Sequence, residues 1–301
     1  MKNIFMMAAV CIATVSCNRA AMPSATPYIN AEIKNEQGNT ILAGHCSVSK
    51  LYITPYKDWF DKSYNEYTVD SVTANQLKPL LKNKTIEIFL GSWCGDSKRE
   101  VPRMIRILQT ASFDTAGIRL IFVDNSAATY KQSPQHEERE KNIHHVPTMI
   151  VYDKRKEVGR IVESPVVSLE KDLLAILQQQ SYIPHYRSIV YWQQHINSRN
   201  IILNDDKLQS LVAEFKPICE GMRDFNAYGN MLLAQQNFNE ALNVFRLNVL
   251  LYADVAGVYS SLGKAYLTIG NKENAKKNLD KALALKPGDE NIMKMLDELK
   301  L

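Results

Sequence analysis

Cys94 is the residue best placed to do chemistry. It lies where an apolar segment, Ile86 to Leu90, passes through Gly91-Ser92-Trp93 into a helical pattern that runs from Lys98 to Thr110. A thiol at the first turn of a helix faces backbone N–H groups without intrahelical partners and the positive end of the helix dipole, and both favour thiolate over thiol. Because the thiolate is the nucleophile of disulfide exchange, this position predicts an accessible, reactive sulfur. Asp96 opposes it with a negative charge two residues on, which Lys98 or Arg99 can offset. The chain has five cysteines. Cys11 and Cys17 belong to an N-terminal leader, so Cys46, Cys94 and Cys219 remain, an odd number that is no disulfide framework. At least one of the three is free or transiently paired.

Elements that can hold such a thiol follow from the hydrophobic pattern. Thr85–Leu90, Ile118–Asp124, Thr148–Tyr152 and Glu157–Glu163 read as strands, and Lys98–Thr110, Gln135–Lys141 and Leu169–Gln179 as helices, an α/β alternation. Before them, Ile29–Lys34 and Thr40–Cys46 flank Gln37-Gly38-Asn39 as a hairpin. Tyr52, Tyr56, Trp59, Phe60, Tyr64 and Tyr67 recur at spacings of three and four after Thr54-Pro55, an aromatic helix face that either packs on the next unit or stacks a sugar or peptide. A short helix is expected over Thr73–Lys82. Arg187–Ser198 and Asp206–Met222 read as connecting helices.

The segment from Ile86 to Pro102 strongly resembles the thioredoxin active site, with Trp93 before Cys94, Gly95 after it and Pro102 eight residues on. Glu100 resembles the acidic residue of TlpA/ResA-type tethered thioredoxins. Ile143-His144-His145-Val146-Pro147-Thr148 resembles the cis-proline loop, with the following strand at Met149 to Tyr152. The resemblance covers about Asn83 to Gln180. It implies that Val146-Pro147 is cis and lies beside Cys94, with Val146 and Thr148 offering an extended substrate a strand edge. His144 and His145 then flank the loop that faces Cys94, either as imidazolium or proton shuttle, or as ordinary turn residues.

Two departures limit what the resemblance implies. Ser97 stands where the family has its second Cys, so the motif is CxxS and cannot close an internal disulfide; Ile88 stands where a buried Asp is common. A mixed disulfide on Cys94 would have to be resolved by Cys46, by Cys219, by a small thiol or by another protein. The CGDS tetrapeptide also resembles monothiol glutaredoxins, though Trp93 and the leader speak against that family. No metal or cofactor is expected, since His45-Cys46 is the only other neighbouring His and Cys pair.

Met1 to Ser16 carries one charge, Lys2, and an apolar run from Ile4 to Val15, the form of a secretory signal and shorter than a membrane span. Thr14-Val15-Ser16-Cys17 resembles a lipobox, which implies a lipid on Cys17; ordinary cleavage a little further on also fits. The expected location is the periplasm, as an exported, membrane-anchored lipoprotein. Lys plus Arg is 36 against 32 Asp plus Glu, a net +4 with no basic run, so nucleic acid is not an expected partner. No GxSxG or HExxH motif supports a hydrolase.

The last eighty residues repeat. Phe225, Gly229, Ala241 and Phe245 recur 34 residues later as Tyr259, Gly263, Ala275 and Leu279. Small Gly and Ala let two helices approach while larger partners fill the groove between them. Leu262-Gly263, Tyr266, Ala275, Ala282 and Pro287 resemble a tetratricopeptide repeat (TPR); the earlier copy is looser, with Asn248 and Ala253 departing from its usual Ala and Pro. Groove-facing positions are Arg223, Asn226 and Asn230, then Gly257, Ser260 and Lys264, either a partner-binding line or plain solvation. Two repeats need further cover, so the connecting helices should pack on the first.

The expected architecture is an α/β thioredoxin-like domain followed by an all-α TPR domain. Its divisions are a signal peptide at 1–16, a hairpin and helical extension at 28–82, the thioredoxin-like domain at 83–183, connecting helices at 184–221, and two repeats with a capping helix at 222–301. Two functions compete. One is a monothiol protein, Cys94 its nucleophile, that forms mixed disulfides with exported protein clients or peptides; the other is a redox-inactive adaptor. Membrane contact is expected only through a lipid on Cys17.

Overall fold

The computed structural model describes residues 29–196 and 198–299. The signal segment, the Cys17 lipobox and the spacer after it lie outside the described residues. Among those described, no helix is long and apolar enough to cross a membrane.

A six-stranded mixed sheet has the order β1-β2-β4-β3-β5-β6. Its strands are β1 (Ala31–Lys34), β2 (Thr40–Cys46), β3 (Lys84–Leu90), β4 (Ile118–Phe122), β5 (Thr148–Asp153) and β6 (Lys156–Val162). Only β3 and β4 run parallel. The β1–β2 hairpin turns at Gly38, whose φ of 76° suits a residue without Cβ. β3 is central, and its alternation divides two cores. Ile86, Ile88 and Leu90 enter a large core with Leu120, Phe122, Met149 and Val151, whereas Phe89 packs on the opposite face with Ile121, Val123, Ile143, Val146 and Ile150.

Four helices, α1 (Lys57–Glu66), α2 (Ser71–Leu80), α3 (Gly95–Thr110) and α4 (Leu169–Leu177), supply the large core. The aromatic stripe is structural there. Phe60 is fully buried, edge-on to Tyr52 at 4.8 Å and stacked on Tyr64 at 5.6 Å. Its helix begins only at Lys57, after Pro55. Asp70 caps α2 by accepting from the backbone N–H groups of Val72 and Thr73 at 3.1 and 3.2 Å.

The other face is covered by the long segment between β4 and β5. The helix expected over Gln135–Lys141 does not form; the segment is a run of turns. Local side chains take the backbone instead. Glu138 accepts from the Ser133 N–H at 2.9 Å and from its hydroxyl at 2.6 Å, and Lys131, His136, Glu140 and Asn142 all have positive φ. Buried Asp124 organises the entry, accepting from the N–H groups of Asn125 and Ser126 and from the Thr129 hydroxyl.

From residue 187 the described residues form helices joined by short links: α5 (Arg187–His195), α6 (Asp205–Phe215), α7 (Met222–Ala234), α8 (Phe238–Leu251), α9 (Ala256–Thr268), α10 (Lys272–Leu285) and α11 (Glu290–Glu298). The second connecting helix stops at Phe215, short of the expected Met222, because Pro217 and Gly221 follow. α5, α7 and α9 start at 187, 222 and 256, and α6, α8 and α10 at 205, 238 and 272. The connecting helices therefore form a further hairpin on nearly the same period, although their residues do not match it. Ile189, Trp192, Leu208, Leu211 and Phe215 share one core with Phe225, Tyr228 and Phe245, as cover for the first repeat requires.

The glycine spacing has the predicted cause. A Cβ on Gly229 would stand 2.5 Å from the Phe245 ring, and one on Gly263 2.7 Å from Leu279. Buried Glu240 joins three helices, accepting from Trp192 Nε1 at 3.0 Å, the Tyr228 hydroxyl at 3.0 Å and Asn237 Nδ2 at 2.8 Å. At the far end, α11 buries Ile292 against Leu279 and Ala282.

Candidate functional site

β3 ends at Leu90, and Cys94 is the N-cap of α3, its backbone extended (φ −89°, ψ 127°). This half-buried sulfur donates to the Val146 carbonyl at 3.2 Å, and the Val146–Pro147 bond is cis. Trp93 closes one side, its indole N–H donating to Val123 O at 2.9 Å. Ser97, Val146 and Thr148 are buried; the Ser97 hydroxyl accepts from Gly91 N at 3.2 Å, and the Thr148 hydroxyl donates to His145 O at 2.7 Å. Asp96 is paired with Arg99 at 2.7 Å, so its charge is largely met within the helix. Glu100, also buried, is held by Arg99 at 2.5 Å and Arg103 at 3.3 Å.

His144 and His145 are neither exposed turn residues nor imidazolium cations. Both are buried, with Nδ1 to Nδ1 at 2.8 Å, so one ring donates and the other accepts. The His145 ring stacks on Tyr186 at 3.8 Å, and His144 meets Tyr186 and Tyr228 edge-on at 5.6 and 6.0 Å. Burial first, then neighbouring positive charge, pushes His144 down to about 3 and His145 lower still, so both are neutral.

The cation at this site is Lys131, which sequence reasoning passed over. It is 5% exposed, with Nζ 5.2 Å from the Trp93 ring and 4.8 Å from the Tyr130 ring. Burial pushes it down to about 8, while the charges of Cys94 and Glu163 act the other way. Tyr130 is pushed up to about 12 by burial, and then by Cys94 and Glu163. The only signal in the sequence was a lysine inside an otherwise polar loop, which is usually solvated.

Glu163 links the two halves. Its N–H donates to Pro147 O at 2.7 Å, and its carboxylate accepts from the Tyr186 hydroxyl. Gln132 Nε2 also crosses, donating to Ala234 O at 2.7 Å. The residues predicted for the repeat groove divide. Asn226 is engaged internally, accepting from Asn248 Nδ2 at 2.9 Å with its own Nδ2 on Met222 Sδ at 3.0 Å; Asn248, at a position where the repeat has Ala, is thereby a helix tie. Asn230 and Lys264, with Thr268, line a cavity of about 600 Å³ shared with Glu36, Asn125 and Tyr130 of the sheet half. Arg223 is exposed and Ser260 half-buried.

The other two thiols are kept out of the way. Cys46, fully buried in β2, and Cys219, below α7, are each pushed up to about 12, chiefly by burial. Under native conditions at pH 7.5, iodoacetamide should therefore modify Cys94 at least tenfold faster than either, as peptide mass mapping over time would show.

Residues 256–289, the span of α9 and α10 with the turn that follows, match the tetratricopeptide repeat family. Repeats of this kind serve protein–protein interaction. No curated protein matches the chain.

Proposed function

We propose that this chain is an exported, thioredoxin-like monothiol protein that forms mixed disulfides with envelope proteins, the repeats offering those partners a docking face. The carrying observation is the placement of Cys94 at the start of α3 with the Val146 carbonyl of the proline loop 3.2 Å from its sulfur. Strand, Trp-Cys, helix and proline loop meet in the order the resemblance implies.

In the exchange step the Cys94 thiolate attacks one sulfur of a client disulfide. A bond forms between the two, the client S–S bond breaks, and the second client sulfur leaves as a thiolate that takes a proton from water. Ser97 cannot attack the adduct, Cys46 is fully buried and Cys219 half-buried, and burial pushes both of those thiols up to about 12, which keeps them protonated. Resolution falls to a thiol from outside the chain. The cavity between Asn230, Lys264 and the sheet half gives a partner's polar segment a place next to Tyr130.

The test is trapping in envelope extracts with wild type and Cys94→Ser under alkylating quench. Reductant-sensitive adducts on wild type that vanish in the variant support exchange. Identical, non-covalent capture by both would overturn it in favour of an adaptor that uses only the fold and repeats.

A further inference from the structure

A thiolate at Cys94 forms against Phe89, Ile121, Val123, Ile143 and Val146, an apolar surround that disfavours an anion. The start of α3 offsets part of that cost, and of the side-chain charges nearby the obvious candidates are spent. His144 and His145 are neutral, and Arg99 is engaged by Asp96 and Glu100.

Lys131 is left. A lysine 5% exposed is costly to bury, and a methionine would fill the same space without that cost. The loop nevertheless fixes it in place. Its own N–H donates to Asp124 O at 2.9 Å, its φ is 56°, and the Asp124 side chain gathers the neighbouring turn. The Trp93 and Tyr130 rings hold the ammonium between them, a cation–π arrangement that steadies a charge without neutralising it. The ammonium lies over the ring of Trp93, the residue next to Cys94 at the start of α3, and over that of Tyr130 in its own loop; the charges of Cys94 and of Glu163 at the end of β6 act on it, and its own charge acts on both neutral histidines. The Glu163 carboxylate also accepts from the Tyr186 hydroxyl, whereas Cys94 has only the Val146 carbonyl beside its sulfur.

We propose that Lys131 is the counter-charge of Cys94: its ammonium, fixed between Trp93 and Tyr130, stabilises the sulfur as thiolate and supplies from a loop the cation that the helix start and the histidines do not. This deepens the reading of Cys94 as a nucleophile and rests on it. In an exchange reaction the same charge would favour departure of the Cys94 sulfur when an outside thiol resolves the adduct, since a stabilised thiolate is the better leaving group.

The experiment is the pH–rate profile of Cys94 carbamidomethylation in wild type, Lys131→Met and Lys131→Arg, with circular dichroism confirming the fold. Lys131→Met should react about tenfold more slowly at neutral pH, with its midpoint about one pH unit higher. Lys131→Arg should stay near wild type. A folded Lys131→Met with an unmoved midpoint overturns the proposal, because a merely space-filling lysine predicts that result. Should Lys131→Met not fold, the reciprocal measurement decides. The ¹⁵N-detected titration of the Lys131 ammonium should shift to lower pH in Cys94→Ser, which can carry no negative charge there; an unchanged titration overturns the proposal. Failure of the exchange reading is separate: it shows as absent adducts on wild type whatever the profile does.

Discussion

Acidification from pH 7 to pH 4.5 is expected to remove about 3 to 5 kcal/mol of stability through His144 and His145, beyond what the carboxylates contribute. Both rings are held neutral in the folded protein, His144 down to about 3 by burial and by the charges of Arg160 and Lys131. In the unfolded chain each takes up a proton near its ordinary value of about 6.5. Above that pH neither state is protonated and the pair is silent. Below it the unfolded chain gains protons that the folded one refuses, so stability falls as pH falls, by about 1.4 kcal/mol per unit per ring, until the folded rings accept them. Urea unfolding at pH 7.5, 6.5, 5.5 and 4.5 would show the slope. His144→Gln combined with His145→Phe should be less stable at pH 7.5, having lost the Nδ1 pairing, and yet much flatter across the window. Parallel curves for wild type and variant would refute the assignment.

Removing the Glu240 carboxylate should strongly destabilise the helical half. Glu240→Ala leaves Trp192 Nε1, the Tyr228 hydroxyl and Asn237 Nδ2 without their shared acceptor in a buried setting. Each stranded donor costs about 1 to 3 kcal/mol, so a loss of 3 kcal/mol or more is expected. Glu240→Gln keeps one acceptor oxygen of similar shape and should lose about half as much. Thermal unfolding with Trp fluorescence would measure both. A loss under about 1 kcal/mol for Glu240→Ala would mean that water or rearrangement satisfies those donors.

Much of this was legible in the residues. The repeat showed through arithmetic because stacked helices impose a fixed period and because Gly229 and Gly263 leave room only for Phe245 and Leu279. The strand to Cys94 to helix junction showed because its hydrophobic pattern changes period there. The proline loop at Val146-Pro147 was legible, but the segment before it, from Val123 to Asn142, was not. At Gln135–Lys141 the charged, helix-forming composition predicts a helix, whereas side-chain bonds from Asp124, Ser133 and Glu138 take the backbone, and no local pattern reports such turns. Lys131, in the same segment, was hidden for the same reason. The histidines misled because burial under Tyr186 and Tyr228 comes from a helical region that starts some forty residues later. Asn226 reads as a groove residue by register, but Asn248 claims it.

Capping at both ends bears on how copies of this protein behave in a crowded solution. A stack of helical hairpins exposes at each end the sort of apolar face that it buries within, and two bare ends of one molecule are complementary to those of the next. Such a contact is head-to-tail and does not close, so it propagates into filaments. Here α11 occupies one terminus with Ile292, and at the other the sheet half lays His144, His145 and Val162 against Tyr186 and Tyr228. Among the described residues both ends of the array are thus covered, which works against head-to-tail growth of that kind.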